Sequence, residues 1–279
     1  MSKNLSRINA LVLLLCGSMQ LTGNTKQNDK QFVIVTASYN NARWYEWSLN
    51  SVASQTYPNW RMIYVDDCSP DGTGKLVEYY IEKNHLENKI TLIRNQTREG
   101  NPLINHYRAI NTCKNNEIVV ILDGDDALAH DGVLSYLNSI YANFNIWLTY
   151  GQFKNYTNGA IGFCAPMPDF VVKDNTFRYY RDIPSHLRTF YVWLFKAIKH
   201  EDLLYNGKFF PMTGDMAAMI PMIEMARDHF KFIPDVLYIY NDVNPLNEHK
   251  VSKMLQRQCD LAIRGRKRYE PLKKSTLER

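Results

Sequence analysis

What this 279-residue chain has little of narrows its class first. Its five cysteines (Cys16, Cys68, Cys113, Cys164 and Cys259) are an odd number, widely scattered, with no Cys-x-x-Cys pair. Neither a zinc site nor a disulfide framework is indicated, and a reducing medium is expected. No apolar run reaches the roughly 20 residues that a comfortable membrane span requires. There is no internal repeat or low-complexity tract, and with 45% hydrophobic residues the chain is neither disordered nor fibrous. Charge of one sign is also scarce. The net charge is +5, and much of the excess lies between Arg264 and Arg279, so a nucleic-acid partner is not expected. Such a run usually forms a solvated terminus, with an anionic membrane surface or acidic acceptor as the alternative contact.

A phosphate loop is missing too. Gly72-Thr-Gly-Lys75 has Ser69 where the first glycine of such a loop belongs, and Leu76 where a magnesium-binding Ser or Thr belongs.

At the amino terminus, Lys3 and Arg7 precede the apolar stretch Ile8 to Cys16 and the small residues Gly17 and Ser18. Charge, length and ending match a signal peptide or short membrane anchor, with Thr22 to Lys30 as its polar linker. This sets residues 1–30 apart from a main body spanning 31–260 and a basic tail over 261–279.

Within the main body, short apolar runs alternate with helix-length amphipathic segments. Phe32 to Thr36, Met62 to Val65, Ile90 to Ile93 and Ile118 to Leu122 read as strands. Trp44 to Gln55, Lys75 to Asn84, Leu103 to Cys113 and Val133 to Tyr141 read as helices. The alternation predicts an α/β fold: βαβ crossovers building a mostly parallel sheet flanked by helices, with ligands at the carboxyl ends of the strands. Beyond Ile146 to Tyr150 the pattern becomes irregular. Leu187 to Ile198 is an aromatic helix candidate, and Pro221 would kink a helix over Met216 to Ala226. This divides the body into a first half (31–150) and an irregular second half (151–260) suited to an acceptor.

The exit of the fourth strand carries the chemistry. In Val119-Val-Ile-Leu-Asp-Gly-Asp-Asp-Ala-Leu128, Asp123, Asp125 and Asp126 crowd one turn, and clustered carboxylates repel unless a cation stands between them. Oxygen-only ligands suit Mg²⁺ or Mn²⁺, with further oxygens drawn from water and a substrate diphosphate. A calcium loop is excluded, because Leu134 occupies the twelfth position, where a bidentate Glu is needed. Asp and Gly are also ordinary turn residues, so a plain polar turn is the competing reading.

Four segments in order, Thr36-Ala-Ser-Tyr-Asn-Asn41, Ser51-Val-Ala-Ser-Gln-Thr-Tyr-Pro-Asn-Trp60, Tyr64-Val-Asp-Asp-Cys-Ser-Pro-Asp-Gly-Thr73 and Leu122-Asp-Gly-Asp-Asp126, resemble the successive signatures of the family-two inverting glycosyltransferases with the GT-A fold. The resemblance implies a nucleotide-sugar donor, a UDP-sugar by preference, and a glycan, lipid or protein acceptor. It implies that Ser38, Tyr39 and Asn40 take the nucleobase with Tyr39 stacking on it, that Asp67 accepts from the base, and that Arg98 adds a positive contact. It further implies that Asp125 and Asp123 hold the metal, with His249 completing its shell. The base that deprotonates the acceptor would be Asp215, with Gly214 standing where the family has a Glu, and with Glu201, Asp202 and Glu224 as fallbacks. For Asp215 the competing reading is a helix N-cap. Against this hexosyltransferase expectation stand a silent sugar-binding scaffold on the same fold and a nucleotidyltransferase. Because nucleotide sugars are cytosolic in bacteria, the amino-terminal segment favours attachment to the cytoplasmic face of a membrane over export.

Overall fold

The computed structural model describes residues 29–181, 184–246 and 252–273. The signal or anchor segment, His249 and the last part of the basic tail therefore lie outside the described residues. Among the described residues no helix is long and apolar enough to cross a membrane, and Cys68, Cys113, Cys164 and Cys259 are free thiols.

The first half follows the alternating pattern. Strand β1 (Phe32–Ser38), helix α1 (Tyr45–Ala53), β2 (Trp60–Asp66), α2 (Thr73–Lys83), β3 (Ile90–Arg94), α3 (Pro102–Asn111) and β4 (Ile118–Ile121) appear in order. After β4 come the short β5 (Ala127–Leu128), α4 (Val133–Tyr141) and β6 (Leu148–Asn155). The strands β1, β2, β3 and β4 pair in parallel, as crossover helices require. Successive residues of β1 point to opposite faces, and both faces are apolar. Val33 and Val35 join one core with Val119, Ile121 and the aliphatic residues of α3, whereas Phe32 and Ile34 join another with Leu49, Val77 and Leu137 beneath α1, α2 and α4.

The second half is more ordered than its composition suggests. It adds α5 (Asp169–Lys173), β7 (Arg188–Tyr191), α6 (Val192–Lys196), the hairpin β8 (Leu204–Tyr205) and β9 (Lys208–Phe209), α7 (Gly214–Ala226), β10 (Phe230–Tyr240) and α8 (Lys253–Arg264). The continuous helix expected over Leu187 to Ile198 is corrected: the run opens as strand β7 and turns into a short helix only at Val192. Aromatic and β-branched residues serve both states, and the free hydrogen-bonding edge of β4 decides for strand. Helix α7 continues through Pro221 and is buried from Met216 to Ala226.

All but the hairpin join one sheet of order β3-β2-β1-β4-β7-β6-β10-β5. Strand β7 runs antiparallel to both β4 and β6, and β10 runs parallel to β6 with breaks in register around Pro234. Because β7 is antiparallel and pairs Arg188 with Ile121, it begins where β4 ends. The residue that opens β7 is thus delivered to the carboxyl edge of the sheet.

In the described part of the basic run the arginines are tied down, whereas Lys267 and Lys273 are exposed. Arg264 donates to the carbonyl of Tyr180 at 2.5 Å, Arg266 to that of Glu201 at 3.1 Å, and Arg268 to that of Asp174 at 3.0 Å.

Candidate active site

A cleft of about 990 Å³ opens along the carboxyl edge of the sheet and is lined from both halves of the chain. From the first half come Ser38, Tyr39, Asp67, Arg98, His106 and the acidic turn; from the second come His186, Arg188, Asp215, Tyr240 and Asn244. Of the residues singled out from the sequence, Asn40 lies beside the cleft in a smaller pocket with Trp44 and Asn244.

The acidic turn is held against the exit of β1 by the absence of a side chain at Gly124. A Cβ there would stand 2.7 Å from the Ser38 Oγ and from the Asn41 Nδ2, closer than real contacts allow. Ser38 itself accepts from the Tyr64 hydroxyl at 2.8 Å and from Asn41 Nδ2 at 3.0 Å. Asn40 adopts a left-handed backbone with φ 57, a conformation Asn tolerates, and its N–H donates to Ser69 Oγ at 3.0 Å.

The three carboxylates of the turn differ in circumstance. Asp126 is buried and accepts from the Tyr238 hydroxyl and from the Asn241 N–H, each at 2.6 Å. Burial, with the charges of Asp125 and Asp123 adding to it, holds its carboxyl well above the ordinary range. Asp126 is a structural member of the turn rather than a free ligand. Asp123 is about a third exposed and sits 3.5 Å from Arg188 Nη2. Burial pushes its carboxyl up, but Arg188, with His186, His106 and Tyr238, outweighs that and holds it below the ordinary value. Asp125 accepts from Asn244 Nδ2 at 2.5 Å.

Among the described residues no three His, Cys, Asp or Glu side chains converge as a metal cage. The donor chemistry at Asp123 and Asp125 still fits a hard divalent cation. Both are oxygen donors facing the cleft, and Mg²⁺ and Mn²⁺ commonly take one or two carboxylates while water and substrate phosphate supply the rest.

On the first-half side of the cleft, Tyr39 carries the Arg98 guanidinium over its ring at 3.7 Å, so the two form one stacked unit. Asp67 is buried and accepts from the N–H of Glu99 at 2.9 Å, the N–H of Gly100 at 2.8 Å and Asn95 Nδ2 at 2.7 Å. Burial raises its carboxyl, and these donors more than offset it, so the group is held below its ordinary value. Asn105 adds a further side-chain hydrogen bond, so the carboxylate is held in a dense set of donors at the wall of the cleft. The turn-capping role falls instead to Asp71, which accepts from the N–H groups of Thr73 at 3.0 Å and Ala42 at 2.9 Å.

Asp215 lies in the first turn of α7, two residues past the cap position, which Thr213 occupies. Its Oδ1 accepts from the Met216 N–H at 2.8 Å and its Oδ2 lies 3.1 Å from Arg188 Nη1, with the side chain about a third exposed. Gly214 is explained by packing: a Cβ there would stand 2.9 Å from the Leu103 Cβ of α3. Of the fallback acids, Glu224 is fully buried in a two-bond pair with Arg178 (2.9 and 2.7 Å), and Asp202 accepts from the Tyr269 hydroxyl at 2.6 Å. Neither Glu224, Asp202 nor Glu201 lines the cleft.

Residues that the sequence reading passed over complete the site. Arg188 is buried, with Nη1 toward Asp215 and Nη2 toward Asp123. Burial pushes its guanidinium down and the two carboxylates outweigh that, so it stays charged. His186 stacks on Tyr238 at 4.4 Å, and burial, aided by Arg188, lowers its imidazole to about 3. Burial lowers His106 to about 4. A lone Arg inside Leu187-Arg-Thr-Phe was the one available signal, since buried Arg is almost always paired.

The family model "Glycosyl transferase family 2" matches residues 33–160. The chain is 33% identical over 98 residues to Bacillus subtilis TuaG, named for teichuronic acid biosynthesis, covering 35% of this chain and 37% of that one. It is 32% identical over 98 residues to the poly(ribitol-phosphate) beta-N-acetylglucosaminyltransferase TarS of Staphylococcus aureus, covering 34% of this chain and 16% of the other. These alignments thus span well under half of either relative. Among solved structures, S. aureus TarS 1-349 in complex with UDP-GlcNAc superposes with a TM-score of 0.61 at 19% identity, over 86% of this chain and 68% of that one. The mannosyltransferase PcManGT of Pyrobaculum calidifontis in complex with GDP-Man and Mn2+ superposes at 0.50 and 22% identity, over 78% and 59%. The ordered motifs, the sheet and these matches agree: residues 33–160 match glycosyl transferase family 2, and the chain has the GT-A fold.

Proposed function

We propose that this chain is an inverting hexosyltransferase that moves a sugar from a nucleoside-diphosphate sugar to a hydroxyl of a glycan, lipid or protein acceptor. The observation that carries the reading is that Asp215, from the second half, and the Asp123–Asp126 turn, from the first, face one cleft of about 990 Å³. Inverting transfer needs that arrangement: the leaving diphosphate on one side of the anomeric carbon, and a proton-accepting carboxylate on the other.

Tyr39 and Arg98 offer a flat cationic stack for a nucleobase, and Asp67, an ionised carboxylate lining the same cleft, offers an acceptor for a base N–H where a ligand displaces one of its present donors. Together they favour a pyrimidine, and the neighbour structures of TarS with UDP and UDP-GlcNAc support a uridine donor. Asp125, assisted by Asp123, would hold Mg²⁺ or Mn²⁺. Such an ion neutralises charge that develops on a departing diphosphate. Asp215, held by the Met216 N–H, keeps lone pairs directed into the cleft and takes the acceptor proton as the hydroxyl attacks. Cytosolic donor supply places the enzyme at the cytoplasmic face of a membrane, attached through residues 8–16.

The test is a panel of uridine, thymidine and guanosine diphosphate sugars assayed for release of nucleoside diphosphate, with Mn²⁺ present and then chelated. Metal-dependent release of uridine diphosphate, and an anomerically inverted product once an acceptor is found, is the expected result. Release of pyrophosphate would identify a nucleotidyltransferase, and no turnover of any donor would leave a binding scaffold.

A further inference from the structure

The structure assigns to Arg188 the role of a positioning residue that sets the acceptor-side base against the donor-side carboxylate. This rests on the reading of Asp215 as the base. Arg188 opens β7 opposite Ile121, two residues before Asp123, so its side chain starts from the rigid centre of the sheet and not from a loop. Its guanidinium splits its two terminal nitrogens between acids from opposite halves of the chain: Nη1 to Asp215 at 3.1 Å and Nη2 to Asp123 at 3.5 Å.

A purely structural ion pair looks different in the same molecule. Arg178 and Glu224 are 1% and 0% exposed at both ends, and their two parallel hydrogen bonds face no cleft. Arg188 is equally secluded at 7%, yet Asp215 and Asp123 are 33% and 34% exposed, so the buried fork presents two reactive carboxylates outward. A planar fork with fixed angles can define the separation of two acids; an ammonium, a single point of charge, cannot hold both. Asp215 otherwise has one anchoring bond in the structure, the N–H of Met216, which fixes only one of its oxygens. Arg188 fixes the other, and with it the direction in which the remaining lone pairs face an acceptor.

The test is a double-variant cycle read on the full-length enzyme. Arg188→Met and Arg188→Lys are combined with Asp215→Asn, and kcat, the donor KM and the binding of uridine diphosphate are measured for each. Arg188→Met should lower kcat about 100-fold or more while uridine diphosphate binding, which feels Arg188 only through Asp123, weakens by less than about tenfold, and Arg188→Lys should recover part of the rate. Added to Asp215→Asn, either change should cost less than about threefold further, because the residue it positions is already gone. Losses that multiply in the double variant, a loss carried by donor KM alone, or a kcat for Arg188→Met near wild type would each overturn the role. If Arg188→Met does not fold, Arg188→Lys, which keeps the charge, closes the same cycle. A normal rate for Asp215→Asn alone would overturn the base assignment and this role together, whereas a slow Asp215→Asn with a multiplicative cycle would overturn this role only.

Discussion

Gly214 and Leu103 touch so closely that the first turn of α7 has no room for a Cβ, which would meet Leu103 Cβ at 2.9 Å. The contact clamps the helix bearing Asp215 to the helix bearing His106, across the two halves of the chain. Gly214→Ala should therefore lower stability by about 1 to 3 kcal/mol through overpacking. At an open helical site the same change would be neutral or stabilising. Thermal melting gives the sign, and a melting temperature at or above wild type would contradict the overpacking.

Asp215→Asn separates binding from chemistry. The substitution keeps an acceptor for the Met216 N–H but removes the basic group, so donor affinity should remain near wild type while the transfer rate falls by roughly 100-fold or more. Single-turnover kinetics beside a binding titration decide it, and a normal rate with a normal melting temperature would reject Asp215.

Asp125→Asn should weaken metal and donor binding together and lower transfer at least about 100-fold. The readout besides rate is the Mn²⁺ requirement for binding of uridine diphosphate, followed calorimetrically. Wild-type binding that is insensitive to chelator would remove the metal from the mechanism.

His186 and His106 predict a pH dependence of stability. In the unfolded chain an imidazole titrates near its ordinary value, 6.5, whereas in the fold burial lowers His186 to about 3 and His106 to about 4. Between those limits the unfolded chain binds protons that the folded chain refuses. Their contribution is therefore complete above about 6.5 and is lost as pH falls toward 4. Melting curves of wild type and His186→Gln from pH 7.5 to 5 check this: the variant should show a shallower decline, and parallel declines would contradict it.

Glu224→Gln should destabilise the protein by about 3 to 5 kcal/mol, because it leaves the Arg178 guanidinium buried opposite a neutral group. Chemical denaturation provides the measurement, and transfer by the remaining folded fraction should be unchanged, since the pair does not line the cleft.

The legible part of this protein is the part in which one residue type implies one state. Apolar runs such as Phe32 to Thr36 and Ile118 to Leu122, separated by amphipathic segments, can only be buried strands between helices, and the structure has them in that order. The run Leu187 to Ile198 was not legible. Its aromatic residues suit strand and helix equally, and its state is set by the edge of β4, a partner distant in sequence. Arg188 was hidden by the same ambiguity, because a residue assigned to the wrong element points to the wrong place. The acidic turn could be located but not resolved into roles: Asp126 is taken up by Tyr238 and Asn241, which belong to a strand and loop that composition alone left undefined. Gly214 could be recognised as a departure from the family, while its cause, Leu103, is a matter of packing alone.

Strand β7 lies inside the sheet, between β4 and β6, and so joins the two halves of the chain by backbone hydrogen bonds on both of its edges. A polypeptide cut near residue 150 would leave Ile118–Ile121, an apolar strand, as an open edge, and such edges recruit other chains. The two halves of the chain are therefore one unit of folding. A chimaera that replaces the second half must keep β7 against β4 and β6, or the first half is left with that open edge.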